Sequence, residues 1–522
     1  MPKFYINTAI AYVNAPPHLG HALEFIGADV IARHHRLLGD EVLLGTGTDE
    51  HGVKLANTAK KLGMEPQALC DQNAAKFAAL KEQLNYSYDI FWRTTDPKHQ
   101  AAAVKVWQKM AAAGDIYQKT YQGLYCVGCE TFKTKSELVE GKCPDHNAVP
   151  QLVDEENYFF RLSKYGPAIQ KHFEEHPDFV RPQKRYNEIY NVVKAGLEDI
   201  SISRHVSKLS WGVPVPGDSE QVMYVWVEAL SSYINMVGYG WDEELLRKWW
   251  PTDVNIIGKD IIRHHAAIWP GILMSFGQAL PRQIFAHGFI TSGGRKMSKT
   301  LGNVIDPLAI KDLFGVDACR YLLLRIVPFD DDGDVTLLGL GERYVADLAN
   351  NLGNLVNRVL KMCERYGVAG GGSASSASEA SASGSVLSAP DANWPERVSR
   401  TWKKYNSSMA EFRFHLALEA VMECVSELNA AIEQEKPWDL AKRDEQRLSQ
   451  VLFALLESLR HVALWLAPFM PAAAKKLYAA LGLKLREQYS AAAYEQRQQW
   501  LGEKLGKKLV VIEPLFPRLE EE

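Results

Sequence analysis

The sequence predicts an α/β protein in which a parallel-sheet domain is split by an insertion and followed by an α-helical bundle. Three observations predict it. Strand and helix signals alternate through the first third of the 522 residues; the alternation breaks near Tyr117 and resumes at Tyr224; and beyond about Asp306 the apolar residues fall at helical spacing. The length is that of about three or four domains, and 47% hydrophobic content supplies their cores.

Residues 4–10 read as a strand, Pro16-Pro17 stops it, and residues 18–38 form a helix with Ala22, Leu23, Phe25, Ile26, Ala28, Val30 and Ile31 as its apolar positions. Glu41-Val42-Leu43-Leu44 begins the next strand. It runs into Gly45-Thr46-Gly47-Thr48-Asp49-Glu50-His51-Gly52, at the strand end where parallel sheets carry function. The pattern divides the chain into a sheet domain at 1–116 and 224–290, an insertion at 117–223, a loop and contact region at 291–343, and a helical domain at 344–522. Within the last, 344–366, 405–431 and 448–466 are amphipathic. Residues 370–390, rich in glycine, serine and alanine, are too small and polar to bury a core and are expected to form a disordered surface loop.

Two short segments carry the chemistry. His18-Leu19-Gly20-His21 opens the first helix, so both histidines share one face beside the free N–H groups and positive dipole end that attract phosphate. Lys296-Met297-Ser298-Lys299-Thr300 follows Gly293-Gly294 as a loop with two ammonium groups, able to close over a triphosphate. Alone, an HxxH pair reads more often as a metal pair or as satisfied helix histidines; with the lysine loop in this order it reads as an ATP clamp. No GxxxxGK[ST] spacing occurs, so the phosphate loop of P-loop enzymes is excluded.

Cys126-x2-Cys129 and Cys143-x2-His146, within 124–148, have the spacing of a zinc knuckle, in which four protein ligands close a structural tetrahedron and leave no open position. Cys70, Cys319, Cys363 and Cys424 are scattered and read as buried packing thiols. A net charge of −4 excludes a generally basic nucleic-acid coat, leaving RNA to local patches such as Arg358, Lys361 and Arg365. The N-terminus has no signal-peptide apolar region, and the longest apolar run, 462–474, is interrupted by Pro468 and Pro471. A cytoplasmic protein without a membrane partner is expected.

The two clamp segments resemble the HIGH and KMSKS signatures of class I aminoacyl-tRNA synthetases, and the residues around them are similar to the methionyl-tRNA synthetase family from about Phe4 to Arg518. The resemblance implies a Rossmann-like catalytic domain, a connective insertion and an anticodon-binding bundle, with ATP, L-methionine and initiator and elongator tRNA(Met) as partners. It also implies one structural Zn²⁺, and Mg²⁺ arriving with ATP. It assigns His18 and His21 to the ATP phosphates, Gly20 to close approach of adenine or ribose, and Lys296 and Lys299 to the leaving pyrophosphate. Ile10, Tyr12 and the stretches 226–233 and 261–269 would wall the methionine pocket. Asp49 would pair with the ammonium; Trp226, Tyr233, His265 and Trp269 would line the side-chain pocket; Asp260 and Arg204 would be polar partners. Asn354, Arg358 and Trp438 would read the CAU anticodon, the indole as a stacking platform.

Two positions depart from the family pattern: Leu230 stands where some members have proline, and His264 where an aromatic is common. The insertion is too short for the hydrolytic editing domain of the isoleucine, valine and leucine enzymes, so selection rests on the synthetic site. The chain stops soon after Arg518, before the point where an appended dimerising barrel follows in some members, and a monomer is expected. Two alternatives stay open at this level: a sister enzyme of the class acting on another apolar amino acid, and a non-catalytic RNA-binding paralogue.

Overall fold

The N-terminal half is built on one parallel sheet with strand order Ala11–Tyr12, Glu41–Asp49, Lys3–Thr8, Val254–Gly258, Ile284–His287 and Val180–Arg181, with Ile90–Arg93 also paired to Glu41–Asp49. The structure is a computed structural model and describes residues 1–128, 131–133, 138–144, 147–296, 305–367, 393–506 and 508–519. Successive side chains on a strand face opposite sides. Ile6, Ile256 and Phe285 accordingly enter a core shared with the helix Leu19–Leu38 and the C-terminal helices, while Tyr5, Ile257 and Ile284 enter a second core with the helix Val225–Asn235. Both faces are covered, which is why these strands read as near-continuous apolar runs rather than as alternation.

After Lys3–Thr8 the chain crosses through Leu19–Leu38 to Glu41–Asp49 on one side; after the insertion it returns to Val254–Gly258 on the other. The carboxyl ends of Lys3–Thr8 and Val254–Gly258 thus flank a topological switch point, the crevice where open α/β sheets bind ligands. The helix Leu19–Leu38 ends at Gly39, whose φ of 99° is left-handed and whose N–H caps Arg36 and His35 carbonyls.

The insertion holds an antiparallel sheet ordered Thr131–Lys133, Ile116–Cys126, Gln151–Phe160, Ile200–Ser201, and a smaller one of Ser203–His205, Asp218–Met223 and Pro214–Val215. The division expected from sequence differs in one place. Val180–Arg181, inside the stretch assigned to the insertion, pairs with Ile284–His287 as the edge strand of the parallel sheet. Two residues are too short for a periodic signal. Tyr224 likewise opens no strand; it is the N-cap of the helix Val225–Asn235.

The C-terminal part is helical as expected. The 344–366 stretch is one continuous rod whose first part, Tyr344–Gly353, is wound as a π-helix before Asn354–Arg365. The 405–431 stretch is instead two helices, Trp394–Ala410 and Phe414–Glu435, broken at Phe412 with φ 54°. The break has a structural use: Glu411 pairs with Arg181, and Arg413 with Asp330 at 3.1 Å, tying the bundle to the N-terminal half. The loop expected at 370–390 lies outside the described residues. The apolar run at 462–474 is divided between Glu445–Leu466 and Pro471–Ala480, and among the described residues no helix is long and apolar enough to cross a membrane.

Candidate active site

His18 is the N-cap of the helix Leu19–Leu38 and forms a capping box made of imidazoles. Gly20 N–H donates to His18 Nδ1 at 3.1 Å, and His18 N–H donates to His21 Nδ1 at 3.2 Å. A nitrogen that accepts carries no proton, so each neutral ring presents its Nε2–H outward. The rings stack with centroids 3.8 Å apart and planes 24° from parallel. Burial, then the neighbouring His18 and His287, hold His21 well below the usual histidine range, so it is a neutral donor. Gly20 has a steric reason: a Cβ there would meet His18 Cε1 at 3.0 Å.

One turn on, Glu24 reaches the end of the strand Ile284–His287, where His287 Nε2 lies 2.9 Å from Glu24 Oε2 and His287 Nδ1 donates to the Gly288 carbonyl at 2.8 Å. Burial raises the Glu24 carboxyl despite its histidine partner. Burial alone would lower His287, and Glu24 overcomes it and leaves the imidazole raised. One proton is held between them. Asp260, in the turn Lys259–Ile261 after Val254–Gly258, acts on both groups and places its Oδ1 where a side chain at Gly258 would collide, 2.7 Å from that Cβ. Asp260, expected as a partner in the amino-acid pocket, therefore sits with the cluster of His21, Glu24 and His287.

The aromatic pocket forms around the helix Val225–Asn235. Tyr233 Oη donates to His265 Nε2 at 2.8 Å, because His265 Nδ1 is committed to the Ile261 carbonyl at 2.9 Å. Burial pushes His265 down to about 4 and His264 down to about 3, so both rings are neutral. Trp226, seven residues before Tyr233 and on the same helix face, is half-buried and stacks on His264 at 3.9 Å and 18°. His264 thus supplies the flat ring that an aromatic would supply there. Tyr233 is raised by burial first, then by Glu24 and Asp49, with the Ile10 main chain partly offsetting them, which brings those residues to one locality. Asp49 ends the strand Glu41–Asp49, opposite Tyr12, whose Oη accepts the Leu55 N–H at 3.1 Å. Leu230 is buried in the core around the same helix.

Two further expected pocket residues are buried among neighbouring side chains. Trp269 is wholly buried, and its ring meets Trp250 and Phe276: it packs the core behind the pocket, as a large indole opening an apolar helix does. Arg204 is in the insertion strand Ser203–His205, under the rings of Tyr125 and Tyr224, the latter at the N-cap of the pocket helix. The lysine segment is also more ordered at its start than a loop. Arg295–Lys296 pairs antiparallel with Ile290–Ser292 across Gly293 and Gly294, and Asp334 accepts from Thr291 Oγ1 at 2.7 Å and from Gly294 N–H at 2.8 Å. Lys299 lies outside the described residues.

A family model described as tRNA synthetases class I (M) matches residues 4–149 and 146–360, and one described as the anticodon-binding domain of tRNA ligase matches 395–522. The methionine–tRNA ligase of Thermotoga maritima is 41% identical over 523 residues, covering 99% of this chain and 80% of that protein. The chain belongs to the methionyl-tRNA synthetase family of class I. The ligase of Thermosynechococcus vestitus is 42% identical over 99% of this chain and 98% of its own length. The Mycobacterium tuberculosis methionyl-tRNA synthetase in complex with methionyl-adenylate superposes with a TM-score of 0.89 at 40% identity, over 99% of this chain and 100% of that one.

In this synthetase chain the cysteine cluster is described in part. Cys126, ending the strand Ile116–Cys126, and Cys143, bridged to Ala148, are both buried; Cys129 and His146 lie outside the described residues. Two buried thiols at turns have the chemistry of a soft-metal donor set, though the described residues alone hold no group of three metal ligands. Cys70, Cys319, Cys363 and Cys424 are buried thiols as expected.

In the bundle of the synthetase, Asn354 is exposed at the start of Asn354–Arg365, and Arg358 Nη2 donates to Glu433 Oε1 at 2.6 Å. Glu433 lies near the end of Phe414–Glu435, where Lys436 turns left-handed and Trp438, 37% exposed, opens the next helix.

Sequence reasoning missed Glu24, His287 and the His51–Glu228–His99 cluster. A signal existed for one of them: Glu24, like Asp29, is an acid on the apolar side of a helix, and buried acids need partners. His287 and His99 carry no local signal, because their partners are 263 and 129 residues away.

Proposed function

We propose that the chain activates L-methionine with ATP, giving methionyl-adenylate and pyrophosphate, and then passes the methionyl group to the terminal adenosine of tRNA(Met). The observation that carries this reading is the pair of neutral imidazoles at a helix tip beside the sheet's switch point, next to a pocket with Asp49 at one end and Trp226, Tyr233 and His265 at the other.

In the first step a methionine carboxylate oxygen attacks the α-phosphorus and the bond to pyrophosphate breaks. Asp49 pairs with the substrate ammonium, and the ring edges of Trp226 and Tyr233, with Ile10, Tyr12 and the His265 ring, take the thioether at about 0.3–1.5 kcal/mol per sulfur–aromatic contact. Being neutral, His265 keeps Tyr233 pointing away as a donor and presents no charge to an apolar substrate. His18 and His21 donate Nε2–H to oxygens that gain charge, while Lys296 and Lys299 hold the leaving pyrophosphate. Glu24, His287 and Asp260 would face the nucleotide, with Asp260 Oδ1 lying over Gly258, where a side chain would displace it. Mg²⁺ bound with ATP would neutralise the phosphates. In the second step a ribose hydroxyl of the terminal adenosine attacks the carbonyl carbon and AMP leaves.

Trp438 would stack an unpaired anticodon base, with Asn354 and Arg358 as edge donors, for initiator and elongator tRNA alike. Zinc would be held by Cys126, Cys129, Cys143 and His146 as a closed structural ion that braces the insertion. Domain limits at 1–116 with 224–290, 117–223 less the sheet strand Val180–Arg181, 291–343 and 344–522, a monomeric state and a cytoplasmic location belong to the same reading. Amino-acid-dependent ATP–pyrophosphate exchange across the twenty substrates tests it: methionine alone should support exchange, and leucine or isoleucine prevailing would refute the pocket.

A further inference from the structure

A buried charge cluster lies on the far side of the pocket helix. On Val225–Asn235, Trp226 and Tyr233 share one face, and Glu228 projects from another, 1% exposed. Its two carboxylate oxygens take two histidines from different elements. His51 Nδ1 lies 2.9 Å from Oε1, and His99 Nε2 lies 2.7 Å from Oε2; His51 and His99 are 3% and 0% exposed. Trp92 Nε1–H donates to His99 Nδ1 at 3.0 Å, so the His99 proton is on Nε2 and points at Glu228. Burial alone would raise the carboxyl, but His51 and then His99 overcome it and hold it below the usual glutamate range; it is a carboxylate receiving two N–H donors. A buried charge with both oxygens satisfied is costly to disturb, and it defines one relative position of the elements it joins.

The elements joined are the two ends of the amino-acid pocket. His51 is two residues beyond Asp49, on a segment whose position is fixed by Glu50: Arg93 donates to both its carboxylate oxygens at 2.7 and 2.9 Å, and Trp211 Nε1–H donates to its carbonyl at 2.6 Å. Glu228 is two residues beyond Trp226. We propose that the His51–Glu228 bond is a ruler for substrate length, setting the separation between the Asp49 carboxylate and the Trp226–Tyr233 walls, with Glu228 a positioning residue that touches no substrate. The inference rests on the pocket assignment made above.

Glu228→Gln keeps the shape but offers an amide NH₂ where one histidine N–H needs an acceptor. It should raise the KM for methionine by about ten-fold while leaving the KM for ATP within about two-fold, because only one substrate spans the joint. The preference for methionine over its longer homologue ethionine should fall with it. His51→Ala should act alike, whereas His51→Asn, whose amide N–H replaces Nδ1–H, should restore both values toward the parent. These two variants carry the test if Glu228→Gln does not fold. Equal change in both KM values, an unchanged methionine KM, or His51→Asn behaving like His51→Ala would overturn the proposal. Trp226→Ala is the control for the pocket itself: if it leaves the methionine KM unchanged, the pocket assignment fails, and if it raises that KM while Glu228→Gln does not, the ruler alone fails.

Discussion

Gly20 and His18 are coupled by contact: the imidazole Nδ1 caps the glycine N–H, and the position where a Cβ would stand at Gly20 is 3.0 Å from the ring. A methyl group at that position would press on the ring and turn it away from its stack on His21. Gly20→Ala therefore separates activity from stability. Alanine gains about 1 kcal/mol in helix propensity, and loss of the cap costs about 1 kcal/mol, so the melting temperature should move little. The turned His18 ring should nevertheless lower kcat/KM for ATP by about ten-fold or more, read by pyrophosphate exchange beside a thermal melt. An unchanged ATP response would show that the His18 orientation does not matter.

Arg320 joins three parts of the chain through a wholly buried guanidinium. It donates to Asp29 Oδ2 at 2.7 Å on the first helix, to the Leu84 and Asn85 carbonyls at 3.1 and 3.2 Å, and to the Phe469 and Pro468 carbonyls at 2.8 and 3.0 Å in the helical domain. Arg320→Met would leave Asp29 buried with Arg33 as its remaining cation, at a cost of about 3–5 kcal/mol. Urea unfolding should show it, and Asp29→Asn on top of Arg320→Met should cost less than it does alone. Additive losses would mean that the two groups are not coupled.

His265 sets a pH dependence. Its folded value is about 4 against 6.5 unfolded, burial being the cause, so below pH 6.5 the unfolded chain binds the extra proton and stability falls as the pH drops toward 4. Above 6.5 the group has no effect on the slope. The shift corresponds to about 3 kcal/mol over that window. His265→Gln should be less stable at pH 7 yet flatter between pH 6.5 and 4, seen as urea midpoints against pH. A slope equal to the parent's would show that His265 titrates normally in the folded protein.

Trp438 should matter to tRNA and not to adenylate formation. Trp438→Ala should weaken tRNA binding or selection by about 1–3 kcal/mol, measured by filter binding alongside pyrophosphate exchange. Equal damage to both would mean that the half-exposed indole serves folding instead.

The parallel sheet, the first helix and its histidines were legible because each is written locally: apolar runs for buried strands, and a Pro-Pro stop before a helical period. The fine division was not. Val180–Arg181 joins the sheet through pairing with residues more than a hundred positions away, and Phe412 breaks a helical period with one left-handed residue for the sake of ion pairs across the domain junction. In the site, Tyr233 and His265 were expected from the family pattern, and the fold brings them within a hydrogen bond of each other. Trp269 is wholly buried, which its sequence could not show, because an indole in an apolar stretch looks the same whether it faces a cavity or a core. Glu228 escaped notice because its meaning lies in two distant histidines.

The central claim is that the imidazole-bearing helix tip and the KMSKT lysines act on one triphosphate. Single-turnover formation of methionyl-adenylate by Lys299→Ala tests it most directly. The rate should fall by about 10²–10³, the loss of a contact made chiefly in the transition state, with methionine affinity unchanged. A rate equal to the parent's would contradict it.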